Sequence, residues 1–91
     1  MDPANPDIKI SDVVFSTADR ETGEWFCVID EDPVYLMLAN GKDRTLDKPK
    51  RKKRKHVQKV LRSETRVAQK LRSGDKVLNS ELRRDLAIFA G

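Results

Sequence analysis

Residues 48–55 read Lys-Pro-Lys-Arg-Lys-Lys-Arg-Lys, and Pro49 alone in that run is uncharged. Cationic side chains at this density displace condensed counterions from a phosphate backbone, so the chemistry they suit is salt-sensitive, sequence-tolerant docking on nucleic acid. The same residues also fit a solvated, partly disordered loop or a short basic tag of the nuclear-import kind. On the docking reading the candidate phosphate contacts are Lys50, Arg51, Lys52, Lys53, Arg54 and Lys55. His56 follows them directly, and Arg20 and Arg44 are flanking candidates.

Other reactive residue types do not assemble into a catalytic pattern. His56 has no acid or nucleophile at a spacing that would suggest a triad, which leaves an inert surface imidazole or a phosphate contact. Cys27 stands alone, so it has no partner within the chain for a disulfide and no companions for a zinc site; inside an apolar stretch it reads as a small core residue. Asp30, Glu31 and Asp32 precede Pro33 as a turn would and lack the ligand spacing of a calcium loop. A phosphate-cradling glycine motif is absent. Arg83 and Arg84, with Gly74 upstream, invite comparison with a helix-turn-helix, but they alternate with Glu81 and Asp85 as on an ordinary solvated helix. These features predict a binding module without enzymatic activity, cofactor, metal or small-molecule substrate.

Aromatic stacking is the other route to nucleic acid. Trp25 and Phe26 follow the Arg20, Glu21 and Gly23 loop and could face bases there, yet a chain with five aromatics needs most of them inside, so burial is expected. Tyr35 differs because its hydroxyl can reach solvent while its ring packs.

These residues must be positioned by one small domain, since 91 residues support one core of modest size. A composition of 37% hydrophobic and 37% charged residues covers a barrel or bundle and leaves a heavily solvated exterior. The net charge of +4 hides a strong asymmetry: residues 1–41 carry 2 basic and 9 acidic side chains, and residues 42–72 carry 14 basic and 3 acidic. A block this basic repels itself unless a polyanion supplies counter-charge. Neither a signal peptide nor an apolar run of about 20 residues is present, so a cytoplasmic protein without a membrane partner is expected.

Along the chain, residues 1–7 with Pro3 and Pro6 read as a flexible leader. Residues 12–16, 25–30 and 34–39 are β-branched and aromatic clusters of strand type, the last two apolar on both alternating faces. Asn40-Gly41 predicts a tight type I′ hairpin turn. Pro49 disfavours helix just before it, so the basic segment should be extended, and residues 56–61 are a closing strand. From Val67 onward the apolar spacing lengthens to helical intervals, with Ser63 as cap and Gly74 as stop of a first helix, and Asn79 or Ser80 as cap of a second. The organisation predicted is a barrel over residues 8–61 carrying the basic segment, followed by a helical hairpin over residues 62–91 packed on it.

With these elements in place, the sequence resembles the KOW-motif RNA-binding proteins, and among them the small bacterial relatives of an archaeal and eukaryotic large-subunit ribosomal protein. The resemblance is carried by Val14, Ser16, Ala18, Arg20, Gly23 and Phe26, then Tyr35, Asn40-Gly41-Lys42 and Arg44. Leu46, Pro49, Lys50, Lys52, Lys55 and His56 form its most specific part. It implies a mainly β fold with an α C-terminus, an SH3-like five-stranded barrel followed by two short helices, and it implies ribosomal RNA of the large subunit as partner, with ribosomal proteins as further partners. Asp19 stands where the family usually has glycine and Glu21 where it usually has aspartate, which shifts the expected contact toward the side of Lys50 to His56. KOW barrels also act as adaptors for ribosomal or transcription proteins, and charge alone would equally suit DNA, so both alternatives accompany the RNA reading.

Overall fold

A strand that is apolar on both faces must be covered twice. In the computed structural model, which describes residues 7–90, that is what happens to the central strands. Five antiparallel strands, β1 (Asp12–Ser16), β2 (Trp25–Glu31), β3 (Tyr35–Ala39), β4 (Lys50–Lys53) and β5 (Val57–Arg62), form one sheet in the order β4-β3-β2-β1-β5. Two helices follow, α1 (Arg66–Ser73) and α2 (Asn79–Ala90).

Alternation assigns the two faces. Val14, Phe26, Val28, Leu36, Leu38 and Val57 form the inner cluster, joined by Ile8 from the segment before β1. Their neighbours Val13, Cys27 and Ala39 point the other way and are covered by Val67, Leu82 and Leu86 from the helices. Trp25, Ile29, Leu46, Val60 and Leu61 pack around that outer cluster. The helices are therefore the second cover of the sheet, and their short length is sustained by this packing.

The strands expected at residues 12–16, 25–30, 34–39 and 56–61 lie within one residue of β1, β2, β3 and β5 at each end. Four local expectations are corrected. Asn40-Gly41 does not close a two-residue hairpin; it opens a ten-residue loop between Ala39 and Lys50. There the Asn40 Oδ1 accepts the N–H groups of Lys42 and Arg44 at 2.9 and 3.0 Å, and Gly41 sits at φ 77°. The Asn40 side-chain oxygen thus takes up N–H groups that a two-residue hairpin would commit to its ladder, and the turn closes on itself. The basic segment is extended only over β4, because Arg54–His56 form a 3-10 turn before β5.

Thr65, not Ser63, caps α1: its Oγ1 accepts the Ala68 N–H at 3.1 Å, the three-residue reach of an N-cap. Gly74 ends the helix in the left-handed conformation as expected. Asn79 is already helical, and its Oδ1 accepts the Leu46 N–H at 2.9 Å, tying the long loop to α2. Glu81 takes the capping role by reaching back to the Leu78 N–H at 3.0 Å, half of a capping box. Residues 1–6 of the expected leader lie outside the described residues; Asp7 is exposed and Ile8 is fully buried.

Candidate nucleic-acid interface

Strand pairing divides the basic run into two faces. β4 pairs β3 with Lys50 opposite Leu38, Arg51 opposite Met37, Lys52 opposite Leu36 and Lys53 opposite Tyr35. Leu36 and Leu38 belong to the inner cluster, so Lys50 and Lys52 share the inner face while Arg51 and Lys53 stand outside with Met37 and Tyr35. The outcome is sharp at Lys52, which is 4% exposed, and recurs at Arg54, which is 5% exposed.

A buried ammonium must be paired and hydrogen-bonded to persist in the fold. Lys52 Nζ donates to Ser16 Oγ at 2.8 Å, to the Ala18 carbonyl at 3.2 Å and to Glu21 Oε1 at 3.2 Å, and Asp19 Oδ2 lies 3.7 Å away. Asp19 and Glu21 reach it from a 3-10 turn, Asp19–Glu21, between β1 and β2, with Asp19 in the left-handed region at φ 67°. Arg44 closes the network from the long loop, donating through Nε to Glu21 Oε2 at 2.9 Å. Burial pushes the Glu21 carboxyl up, but the bonds from Arg44 and Lys52 outweigh it and hold the group below the usual glutamate range. Glu21, an acidic neighbour that would repel phosphate if free, is thus neutralised inside the protein.

Arg54 works in the same way just beyond the end of β4. Its Nε donates to the Asp32 carbonyl at 2.8 Å, Nη1 to the Ile8 carbonyl at 3.0 Å and Nη2 to Glu31 Oε1 at 3.1 Å. It fastens the segment before β1 to the β2–β3 turn. Of the cations expected to contact phosphate, Lys52, Arg54 and Arg44 are therefore engaged in internal networks.

The remainder stand outside these networks. Arg51, Lys53 and Lys55 are exposed and Lys50 is half-buried, and none has an acidic partner within 4 Å among the described residues. Arg20 is exposed between the two acids of its turn and is likewise without an ion pair among the described residues. His56 is half-buried, and its carbonyl accepts the Thr17 N–H at 2.9 Å, which joins the end of the basic segment to the loop that carries Arg20. A feature that the sequence analysis missed lies beside them: the Arg51 guanidinium sits 3.8 Å over the centre of the Tyr35 ring. The one hint was the pairing of an aromatic strand with a basic one across the sheet.

Elsewhere the residues weighed for chemistry are structural. Phe26 is fully buried and offers no ring to a base, and Trp25 is half-buried and packs on the outer cluster. Cys27 is buried, and desolvation, followed by the charges of Asp85 and Asp12, pushes its thiol up to about 12. Asp32 Oδ1 accepts the N–H groups of Val34 and Tyr35 at 2.8 and 2.7 Å, the role of a turn residue. Among the described residues no cluster of three or more His, Cys, Asp or Glu could hold a metal ion, and no helix is long and apolar enough to cross a membrane. The chain matches no family model and no curated protein.

Proposed function

We propose that this protein is a non-catalytic RNA-binding module that docks on structured RNA, with ribosomal RNA of the large subunit as the leading partner. The observation that carries the proposal is the outward row of Arg51, Lys53 and Lys55, unpaired by acids among the described residues while their neighbours Lys52 and Arg54 are neutralised internally. Although the Asp32 carboxylate feels the charge of Arg51, a row of this kind is held at the surface against its own repulsion, and a polyanion relieves it. Arg20 extends the row, since the Thr17–His56 bond holds the Arg20 loop against its end, and half-buried Lys50 on the inner face is a further cation.

The resemblance to KOW barrels gives the ligand class, and the architecture supports an SH3-like reading of the fold. Four strands meander in order, the chain makes a 3-10 turn at Arg54–His56, and β5 returns to pair with β1. A protein partner is the second reading, favoured by Ile88 on α2 and Leu78 just before it, which are 73% and 53% exposed. As an adaptor, the chain would bind a ribosomal or transcription protein through that face.

Sedimentation of the tagged protein through a sucrose gradient at low and high salt tests the proposal. Co-migration with the large ribosomal subunit at low salt, lost at high salt, is the expected result. A protein that stays at the top of the gradient in both salts overturns ribosome association, and recovery of a protein partner after nuclease treatment favours the adaptor.

A further inference from the structure

Tyr35 and Arg51 lie on a part of the sheet that the helices do not use. The helices cover Val13, Cys27 and Ala39, whereas Tyr35 and Met37, four and two residues before Ala39 on the same face of β3, belong to neither packed cluster. Across from them stand Lys53 and Arg51. Here a planar guanidinium already lies at 3.8 Å on an aromatic ring, which is a stacking distance, and Arg51 is exposed. The nearby Asp32 carboxylate accepts the Val34 and Tyr35 N–H groups and also feels the charge of Arg51, without an ion pair between them within 4 Å. What remains is a two-tier planar stack, open to solvent and flanked by Lys53.

Such a surface differs in kind from a row of lysines. A lysine meets phosphate as a point charge and binds paired and unpaired RNA alike, whereas an arginine face or aromatic ring takes a base only when that base has left its own stack. Bases in an A-form duplex are stacked on each other and hidden in a groove too narrow for side chains. A flat sheet face carrying an exposed planar stack therefore selects loops, bulges and single strands.

Resting on the RNA reading above, we propose that the Tyr35–Arg51 stack is a platform for an unpaired nucleobase, so that the chain prefers looped or single-stranded RNA to fully paired RNA. The base continues the stack on the outer face of the Arg51 guanidinium, whose edges remain free to donate to the adjoining phosphate, and Lys53 neutralises the backbone beside it.

The test uses the full chain and two probes of equal phosphate number, a hairpin RNA with an adenosine-rich loop carrying one 2-aminopurine and a blunt RNA duplex. The wild-type protein is expected to bind the hairpin about fivefold or more tightly than the duplex, with a fall in 2-aminopurine fluorescence as the base stacks. Arg51→Lys keeps the charge and removes the plane, so it should bring hairpin affinity down to that for the duplex and abolish the fluorescence change. Tyr35→Phe should behave as wild type and Tyr35→Ala as Arg51→Lys, which separates stacking from a loss of fold. Equal wild-type affinity for the two probes, or an Arg51→Lys protein that retains the preference, overturns the platform while the RNA reading stands. Failure to bind either probe overturns the RNA reading and the platform with it.

Discussion

Lys52 Nζ lies 3.2 Å from Glu21 Oε1, with the lysine side chain 3% and the glutamate side chain 11% exposed. A residue from the middle of the most basic stretch of the chain is thus an interior cation that pins the β1–β2 loop to β4. Removing one member of a buried pair leaves the other uncompensated, and Lys52→Ala is expected to destabilise the protein by about 3 kcal/mol. Glu21 keeps Arg44 in that variant, which places the loss at the lower end for such pairs. In a cycle of Lys52→Met, Glu21→Gln and the double variant, urea unfolding should show the double variant costing less than the two single losses together by about 1 kcal/mol or more. Strict additivity would mean that the pair holds nothing together.

The same pair fixes the sign of the acid response. The folded-state pKa of Glu21 is lowered, so between the folded and unfolded values the unfolded chain binds the proton and the folded one does not. Stability is full above the unfolded value, about 4.3, and is lost as pH falls through the folded value. Asp32, lowered chiefly by the Tyr35 and Val34 N–H groups, and Glu81, lowered chiefly by the Leu78 N–H, act in the same direction. Urea midpoints should fall between about pH 5 and about pH 2. Glu21→Gln should be the less stable protein at neutral pH and approach wild type in acid; parallel profiles would remove Glu21 from the account.

Much of the fold was legible in the sequence because its signals are local. Val13-Val14-Phe15, residues 25–29 and residues 35–39 are apolar clusters between turn residues, and each became a strand in place. The facing of the basic run was not legible. Alternation in β4 is invisible when every residue carries the same charge, and the acid that neutralises Lys52 lies 31 positions away. Asn40-Gly41 misled for a related reason: its turn chemistry is real, but the Asn40 side chain takes up the Lys42 and Arg44 N–H groups, and the strand that returns to β3 begins only at Lys50. The exchange of Ser63 for Thr65 as helix cap turned on two residues of the same chemistry, chosen by which hydroxyl lies three positions before a free N–H.

Gly41 holds the long loop against α2. A Cβ at that position would press on the Asn79 carbonyl oxygen, and the backbone stands at φ 77°, where a side chain is strained even in open space. The Gly41 carbonyl also accepts Arg83 Nη1 at 2.8 Å. Gly23 is at φ 87° with nothing within 4 Å of where a Cβ would stand, so Gly23→Ala isolates the conformational cost, about 1 kcal/mol. Gly41→Ala should cost clearly more in urea unfolding. Equal losses would show that the loop yields without disturbing α2.

Cys27 offers a readout of the cover that the helices place on the sheet. Burial, with Asp85 and Asp12 adding, pushes its thiol up to about 12, so the native thiol is both covered and protonated. At about pH 8 a thiol reagent should react slowly with native protein and promptly in denaturant. The linkage runs opposite to that of Glu21: the unfolded thiol ionises near pH 8.5 while the folded one does not, so stability is full below that pH and declines as pH rises toward the folded value. Cys27→Ala should flatten that alkaline decline. Prompt labelling of the native protein would mean that the helices open readily from the sheet.

The two faces of the basic run make the sharpest prediction about binding. Counterion release counts only cations that meet phosphate, so each outward lysine that does so should contribute about 0.7–0.9 to the log–log salt slope. Lys53→Ala and Lys55→Ala should each flatten the slope by roughly that amount and leave the urea midpoint close to wild type, since both side chains are exposed. Lys52→Met should do the reverse, lowering the midpoint and leaving the slope of the folded protein unchanged, because its ammonium is occupied by Ser16, Ala18 and Glu21. A comparison of these three variants by filter binding across a salt series separates charge that holds the fold from charge that holds the ligand. If Lys52→Met flattens the slope as much as Lys53→Ala while both proteins remain folded, the inner face opens on binding and the division drawn by strand pairing does not survive in the complex.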